Sequence, residues 1–288
     1  MLNPKSTTMA RKLATLYIKV GQPMNAKAIY EKIILQGNVS FDLYYEFANV
    51  CMKVGDTDKA ESILKKVVEL NPEYALAHKD LGVLYLSKRL FDYAKDEFET
   101  AYKLAPNDYN VVFEYANYLH ATTDFKRSDE MYAKALELEP ENPFALGFSA
   151  LNKMHLQDLD KAQEQIDSAL NKVHEEPFLM YIAGKIRFLK KDYDCAKPFL
   201  IKSFEADRNL DCENLLGLCY FEMGDFEQAN NIFKNILDKS PMNINVMLNI
   251  AKCYEKLEDT QSALNTLDKV IEIMPDCEDA HEMIRKLS

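Results

Sequence analysis

A small residue returns every 34 positions along most of this chain, at Ala14, Ala48, Gly82, Ala116, Ala150 and Gly184, and then, after one 33-residue step, at Gly217 and Ala251. A second small residue follows each by twelve positions, at Ala26, Ala60, Ala94, Ser128, Ala162, Ala196, Ala229 and Ala263. Two small residues per unit mark places where two helices must approach closely, because only a short side chain leaves room for the facing backbone. Four residues further on an apolar or aromatic side chain recurs, as Tyr30, Leu64, Phe98, Tyr132, Ile166, Leu200, Phe233 and Leu267. Five units then close on proline, at Pro72, Pro106, Pro140, Pro241 and Pro275. The period predicts one array of eight helix pairs.

The third unit carries the pattern in full, with Leu81, Gly82, Tyr85, Ala94, Phe98, Ala101 and Pro106. This order and spacing resembles the tetratricopeptide repeat (TPR), a 34-residue helix–turn–helix unit. The resemblance implies an all-α fold, an α-solenoid in which eight TPR units wind as a right-handed superhelix. Units are expected at 7–40, 41–74, 75–108, 109–142, 143–176, 177–209, 210–243 and 244–277, with 278–288 as a C-terminal capping helix. Unbroken periodicity argues for a single solenoid over 1–288, each unit burying its apolar face on its neighbours. Leu2-Asn3-Pro4 matches Leu70-Asn71-Pro72 and sits in the phase where a preceding repeat would end. Either the chain starts mid-array or a degenerate cap precedes the first unit.

Inside a unit the first helix is expected over about fourteen positions, as in 75–88, where Leu81, Leu84 and Tyr85 share one face. Gly21, Gly55 and Gly224 stand at the end of that helix, where a left-handed residue is cheapest without a Cβ. Asp56, Asp124, Asp158, Asp192, Asp225 and Asp259 come next and read as N-caps of the second helix. Equivalent caps on stacked units lie too far apart to share an ion, so metal binding by them is not expected. Pro143 and Pro177 open first helices, and Pro23 and Pro198 are placed in the first turn of second helices.

Units five and six depart from the pattern. Lys153 and Arg187 replace the tyrosine found at Tyr17, Tyr85, Tyr220 and Tyr254, and the neighbouring interior site shrinks to Ser149 and Ala183. A charge at such a position must snorkel or find a partner. Local loosening of the array, a changed bend or a docking point for a ligand carboxylate are the alternatives.

The formal net charge of −11 opposes binding to a phosphate backbone, so no nucleic acid is expected as a partner. Cys51, Cys195, Cys212, Cys219, Cys253 and Cys277 form neither CxxC nor zinc-type Cys/His spacing. Unpaired cysteines at this frequency fit a reducing compartment, and no apolar run of membrane length occurs. A cytoplasmic protein without membrane insertion is expected. His78, His120, His155, His174 and His281 are scattered without a nucleophile at catalytic spacing, and no phosphate loop or HExxH is present. Neither enzyme activity, a cofactor nor a metal site is expected.

Function is then a matter of surface. In the TPR family the concave wall is lined mainly by first-helix positions 2, 5, 9 and 12. Carried onto this chain, those positions hold Leu76, Lys79, Val83 and Leu86, then Asn110, Phe113, Asn117 and His120, then Phe144, Gly147, Leu151 and Met154. Phe178, Tyr181, Lys185 and Phe188 follow, and Leu218 and Phe221 continue the series. Apolar anchors between polar ends resemble a peptide groove, with Asn49, Asn110, Asn117, Asn214, Asn245 and Asn249 available to ligand amides. The alternative is that the aromatics fill the inner side of a tightly wound array. Arg11 with Thr15, and Glu46 where asparagine is needed, argue against the family's clamp for acidic chaperone tails. The resemblance thus implies a scaffold that holds a peptide or helix of a protein partner. Self-association, or service as the recruiting arm of a larger enzyme or chaperone, are the alternatives.

Overall fold

The computed structural model describes residues 4–35, 37 and 39–288, so Leu2 and Asn3 lie outside the described residues. They fall into two compact units, Met1–Pro140 and Glu141–Ser288. The first holds four helix pairs: α1 (Pro4–Lys19) with α2 (Pro23–Ile34), α3 (Phe41–Lys53) with α4 (Thr57–Leu70), α5 (Ala75–Ser87) with α6 (Phe91–Leu104), and α7 (Tyr109–Ala121) with α8 (Phe125–Leu138). The second holds α9 (Pro143–His155) with α10 (Leu159–Lys172), α11 (Pro177–Leu189) with α12 (Tyr193–Ala206), α13 (Leu210–Glu222) with α14 (Phe226–Lys239), α15 (Ile244–Lys256) with α16 (Thr260–Ile273), and the closing helix α17 (Glu278–Leu287). Within each unit every second helix packs on the first helix of the pair that follows.

The repeated small residues do what their spacing predicts. Every member of both series is buried, as is the large residue four places after the second. In the third pair a Cβ built on Gly82 would lie 3.0 Å from the ring of Phe98, and on Gly217 it would lie 2.7 Å from Phe233. The glycine is therefore a packing glycine: the ring occupies the volume a methyl group would need.

One hydrogen-bond pattern joins the two helices of all eight pairs. The residue that caps the start of the second helix donates its backbone N–H to the carbonyl five residues back, as in Asp56 to Cys51 at 2.9 Å, Leu90 to Tyr85 at 2.8 Å and Asp192 to Arg187 at 2.9 Å. This closes the first helix in the Schellman manner, and the residue just before the cap adopts a left-handed conformation. Gly21, Gly55 and Gly224 supply it at φ of 74°, 76° and 83°. In the other five pairs Arg89, Thr123, Gln157, Lys191 and Glu258 take the same conformation at φ of 58–63°. The expected aspartates are N-caps in all six cases, accepting from Lys59, Arg127, Lys161, Cys195, Gln228 and Ser262 amides. Each aspartate thus ends one helix through its backbone and starts the next through its side chain.

Pro143 and Pro177 open α9 and α11, and Pro23 opens α2. Pro198 differs from expectation: it is the sixth residue of α12, beyond the first turn, and α12 runs on through it to Ala206. The amide it lacks would have served the carbonyl of Asp194. Both residues are exposed, so that carbonyl is open to water.

Candidate functional site

In Met1–Pro140 the first-helix wall is polar at one end and aromatic at the other. Arg11 donates through Nε to both carboxylate oxygens of Glu46, at 2.9 and 2.7 Å, and Tyr30 Oη donates to Glu46 Oε2 at 2.9 Å. The carboxylate beside it pushes the Tyr30 hydroxyl's pKa up, on top of a larger effect of burial. A cavity of about 200 Å³ opens here, lined by Thr15, Ile18, Tyr30, Glu46, Asn49, Val50 and Lys53. Glu46 neutralises Arg11, so that guanidinium is already paired with a carboxylate of the chain itself. Lys79 is similarly paired with the buried carboxylate of Asp80.

Further along, Phe113 stacks on Tyr109 with ring centroids 5.5 Å apart, one helical turn earlier, and meets Tyr132 edge-on at 6.1 Å. Asn117 donates to Glu114 Oε2 at 3.2 Å and accepts from Tyr132 Oη at 2.8 Å. Its carboxamide is thus held in one orientation, with an N–H left to face a ligand. Asn110 is exposed, and Val83 and Leu86 are half-buried over the core.

In Glu141–Ser288 the wall is richer in aromatics. Phe144 is 44% exposed. Phe178 meets Phe148 with ring centroids 4.7 Å apart and planes tilted by 38°, and Phe148 is a ring one position outside the carried-over register that sequence reasoning missed. Its signal was present: Phe144, Phe148 and Phe178 supply three rings to two neighbouring first helices. Tyr181 and Phe188 are half-buried against the core, Phe188 meeting Tyr193 at 5.4 Å. Lys185 Nζ lies 5.7 Å from the Tyr181 ring centre, a cation–π contact. Leu151 and Leu218 are half-buried, and Phe221 packs edge-on against Phe226 at 5.2 Å. Asn214, on the same wall, has a buried Oδ1 without a hydrogen-bond partner among the described residues.

Two residues carried onto the wall belong elsewhere. Met154 is buried in the core. Gly147 is also buried, and a Cβ on it would lie 2.3 Å from Leu179, so this position seats the next first helix and presents nothing outward.

The departures at Lys153 and Arg187 are resolved differently from the tyrosines they replace. The Arg187 side chain is only 11% exposed; it donates to Asp167 Oδ1 at 2.6 Å and lies 4.4 Å from the centre of the Phe199 ring. Its charge is satisfied inside the chain, which removes it as a docking point for a ligand carboxylate. The backbone carbonyls of Lys153 and Arg187 still close their helices, at 3.0 and 2.9 Å, so the pair forms whatever the side chain. All six cysteines are free thiols, and burial raises Cys219 to about 11 and Cys253 to about 12. No helix among the described residues is long and apolar enough to cross a membrane.

Comparisons with known proteins agree with this geometry. Two tetratricopeptide-repeat family profiles match, at residues 41–74 and 220–287. The BBSome complex member BBS4 of Bos taurus is 23% identical over 224 residues, covering 77% of this chain and 43% of that protein. The crystal structure of the APC/C hetero-tetramer Cut9-Hcn1 superposes with a TM-score of 0.74 at 19% identity, over 92% of this chain and 52% of that one. YrrB, described as a TPR protein with an unusual peptide-binding site, gives a TM-score of 0.56 at 23% identity, over 65% and 97%. The chain therefore spans about half or less of the longer proteins it resembles, and the likeness to the solved structures is one of fold. Eight helix pairs sharing one packing register and one helix-closing bond, with profile matches over 41–74 and 220–287, show tetratricopeptide repeats in this chain and make it similar to that family.

Proposed function

We propose that this chain is a protein-interaction scaffold that holds a peptide or helix of a partner against its first-helix wall. The observation that carries the proposal is the row of large side chains left half-exposed there. Phe113 stands in one compact unit, and Phe144, Phe178, Tyr181, Phe188, Leu218 and Phe221 in the other. Covering such a side chain is worth about 1.5–3 kcal/mol, and several of them on successive first helices of one unit, as in Glu141–Ser288, are apolar surface of the kind that marks interaction sites. Asn117, Lys185 and Asn214 supply polar contacts between the anchors. The orphaned Asn214 oxygen favours a ligand N–H, since a buried acceptor without a partner costs about 1–3 kcal/mol. That YrrB, a fold neighbour, is a peptide-binding protein is consistent with this use of the surface. The free thiols fit a reducing, cytoplasmic setting.

The test compares the full chain with Phe144→Ala and with a Phe113, Phe144, Tyr181 and Phe188 quadruple alanine variant, in pull-downs from the source lysate and then by calorimetry on purified partners. Both variants are expected to lose a common set of proteins, with the Phe144→Ala melting temperature unchanged. Tyr181 and Phe188 also pack on the core, so the quadruple variant should melt lower. Retention of every partner by both folded variants would overturn the assignment of the wall.

A further inference from the structure

A second cavity, of about 400 Å³, lies in Met1–Pro140 away from the first-helix wall, between the second helices α6 and α8 and over α7. Its floor is apolar: Leu119, Met131 and the faces of Tyr102 and Tyr115, whose rings lie 5.5 Å apart. Its rim is cationic. Arg127 Nη2 donates to Tyr115 Oη at 2.5 Å, Lys134 Nζ donates to Tyr102 Oη at 3.1 Å, and Lys103 lines the edge. Both cations also sit over the rings they bond to, Lys134 at 4.9 Å from Tyr102 and Arg127 at 5.9 Å from Tyr115. Two carboxylates are near: Glu99 lies 4.0 Å from Arg127 Nη2, and Asp124 lies 3.6 Å from Nη1. Asp124 caps α8 through Oδ1, and its Oδ2 is the oxygen that faces Arg127.

A tyrosine hydroxyl carries one proton to give and accepts with its lone pairs. Here both hydroxyls are acceptors toward a cation, and neither donates to any group among the described residues. Two polarised O–H donors, Arg127 and Lys103 therefore edge an apolar floor, with Lys134 bonded to the Tyr102 hydroxyl; the only carboxylates paired with Arg127 among the described residues are Glu99 and Asp124. Hydrogen bonds from such donors to an anion are the strong kind, and a cavity of this size takes one or two side chains.

We propose that this cavity is a second binding site, which takes a carboxylate carried on an apolar group, as an acidic residue beside a hydrophobic one presents on a protein partner. The carboxylate receives the Tyr102 and Tyr115 hydroxyl protons and the free N–H groups of Arg127, while the apolar group lies on Leu119 and Met131. The chain as a whole is acidic, so a locally basic pocket is the part of this surface suited to an acidic segment.

The site is tested on the full chain with 3-phenylpropanoate, following the methyl resonance of Met131, and with 3-phenylpropanamide and inorganic phosphate as comparators. The carboxylate is expected to give a saturable shift, with the amide and phosphate at least about tenfold weaker. Arg127→Gln with Lys134→Gln, both at the surface, should weaken carboxylate binding about tenfold without changing the helical circular dichroism, and Tyr102→Phe should weaken it too. Equal binding of the amide, no saturable shift, or binding indifferent to these substitutions would overturn the proposal. Phosphate binding as tight as the carboxylate would reassign the pocket to bare oxyanions and overturn its apolar half.

Discussion

Phe98 and Gly82 illustrate how tightly single residues are coupled in this fold, since the ring fills the space where a Cβ would stand. Gly82→Ala should force the ring to shift, and Gly82→Leu should destabilise the chain by about 1–3 kcal/mol through overpacking, read from urea denaturation. Because the second pair uses Ala48 with Leu64 at the same two positions, Phe98→Leu should recover part of the loss in Gly82→Ala. A double-mutant cycle will show that non-additivity. His78 offers a test by pH. It is buried, with Nδ1 2.6 Å from Glu97 Oε2 and Nε2 2.9 Å from the Pro72 carbonyl. The hydrogen bond to Glu97 raises its pKa above 6.5, against a smaller lowering by burial. A raised folded-state pKa means that the protonated ring stabilises the fold fully below the unfolded value. That contribution fades as pH rises through the folded value. Denaturation midpoints should therefore fall as pH climbs above about 6.5, and His78→Phe should flatten this part of the profile.

At the scale of the helix pair, the turn decides. Only three pairs place glycine at the left-handed position, while Arg89, Thr123, Gln157, Lys191 and Glu258 adopt it in the others. An L-residue with a Cβ pays about 1–2 kcal/mol there, and glycine offsets part of that gain through the entropy of the unfolded chain. Glu258→Gly and Lys191→Gly should therefore each stabilise by about 0.5–1 kcal/mol, and Gly55→Ala should destabilise by a similar amount, measured by denaturant midpoint. The same position separates what is legible in the sequence from what is not. The three glycines announce the turn and the six aspartates announce the caps, because those residue types are selected by local backbone needs. The five non-glycine turns are silent, since the closing bond from the next residue imposes the conformation whatever the side chain. Partners of charge are silent as well. That Arg187 needs a partner follows from its repeat position, but that the partner is Asp167, twenty residues away on α10, depends on how α10 meets α11. Gly147 falls off the wall for the same reason, as its place is set by Leu179 of the neighbouring helix.

For the molecule as a whole, the repeat makes the cost of one substitution depend on where along the array it falls. Leu13 and Leu81 occupy the same repeat position, yet Leu13 is 46% exposed and Leu81 is 1% exposed. The outward face of α1 continues with Met9, Leu16 and Val20, all exposed and aligned by their spacing of three and four, where later first helices bury the equivalent residues Ala77 and Leu84, or Val111 and Tyr118, under the preceding pair. In the other unit α17 lays Met283, Ile284 and Leu287 on the core and turns His281, Glu282, Arg285 and Lys286 to solvent. Leu81→Ala should therefore cost about 2–5 kcal/mol, the range for a buried leucine with its cavity, and Leu13→Ala well under that. Amide exchange should rank the same way, fastest in α1 and α2 and slowest in α3 to α6, because a pair covered on one side opens without disturbing a second interface. Equal costs for the two leucines, or an α1 as protected as α5, would show that the outward face of α1 is covered in solution by something outside the described chain.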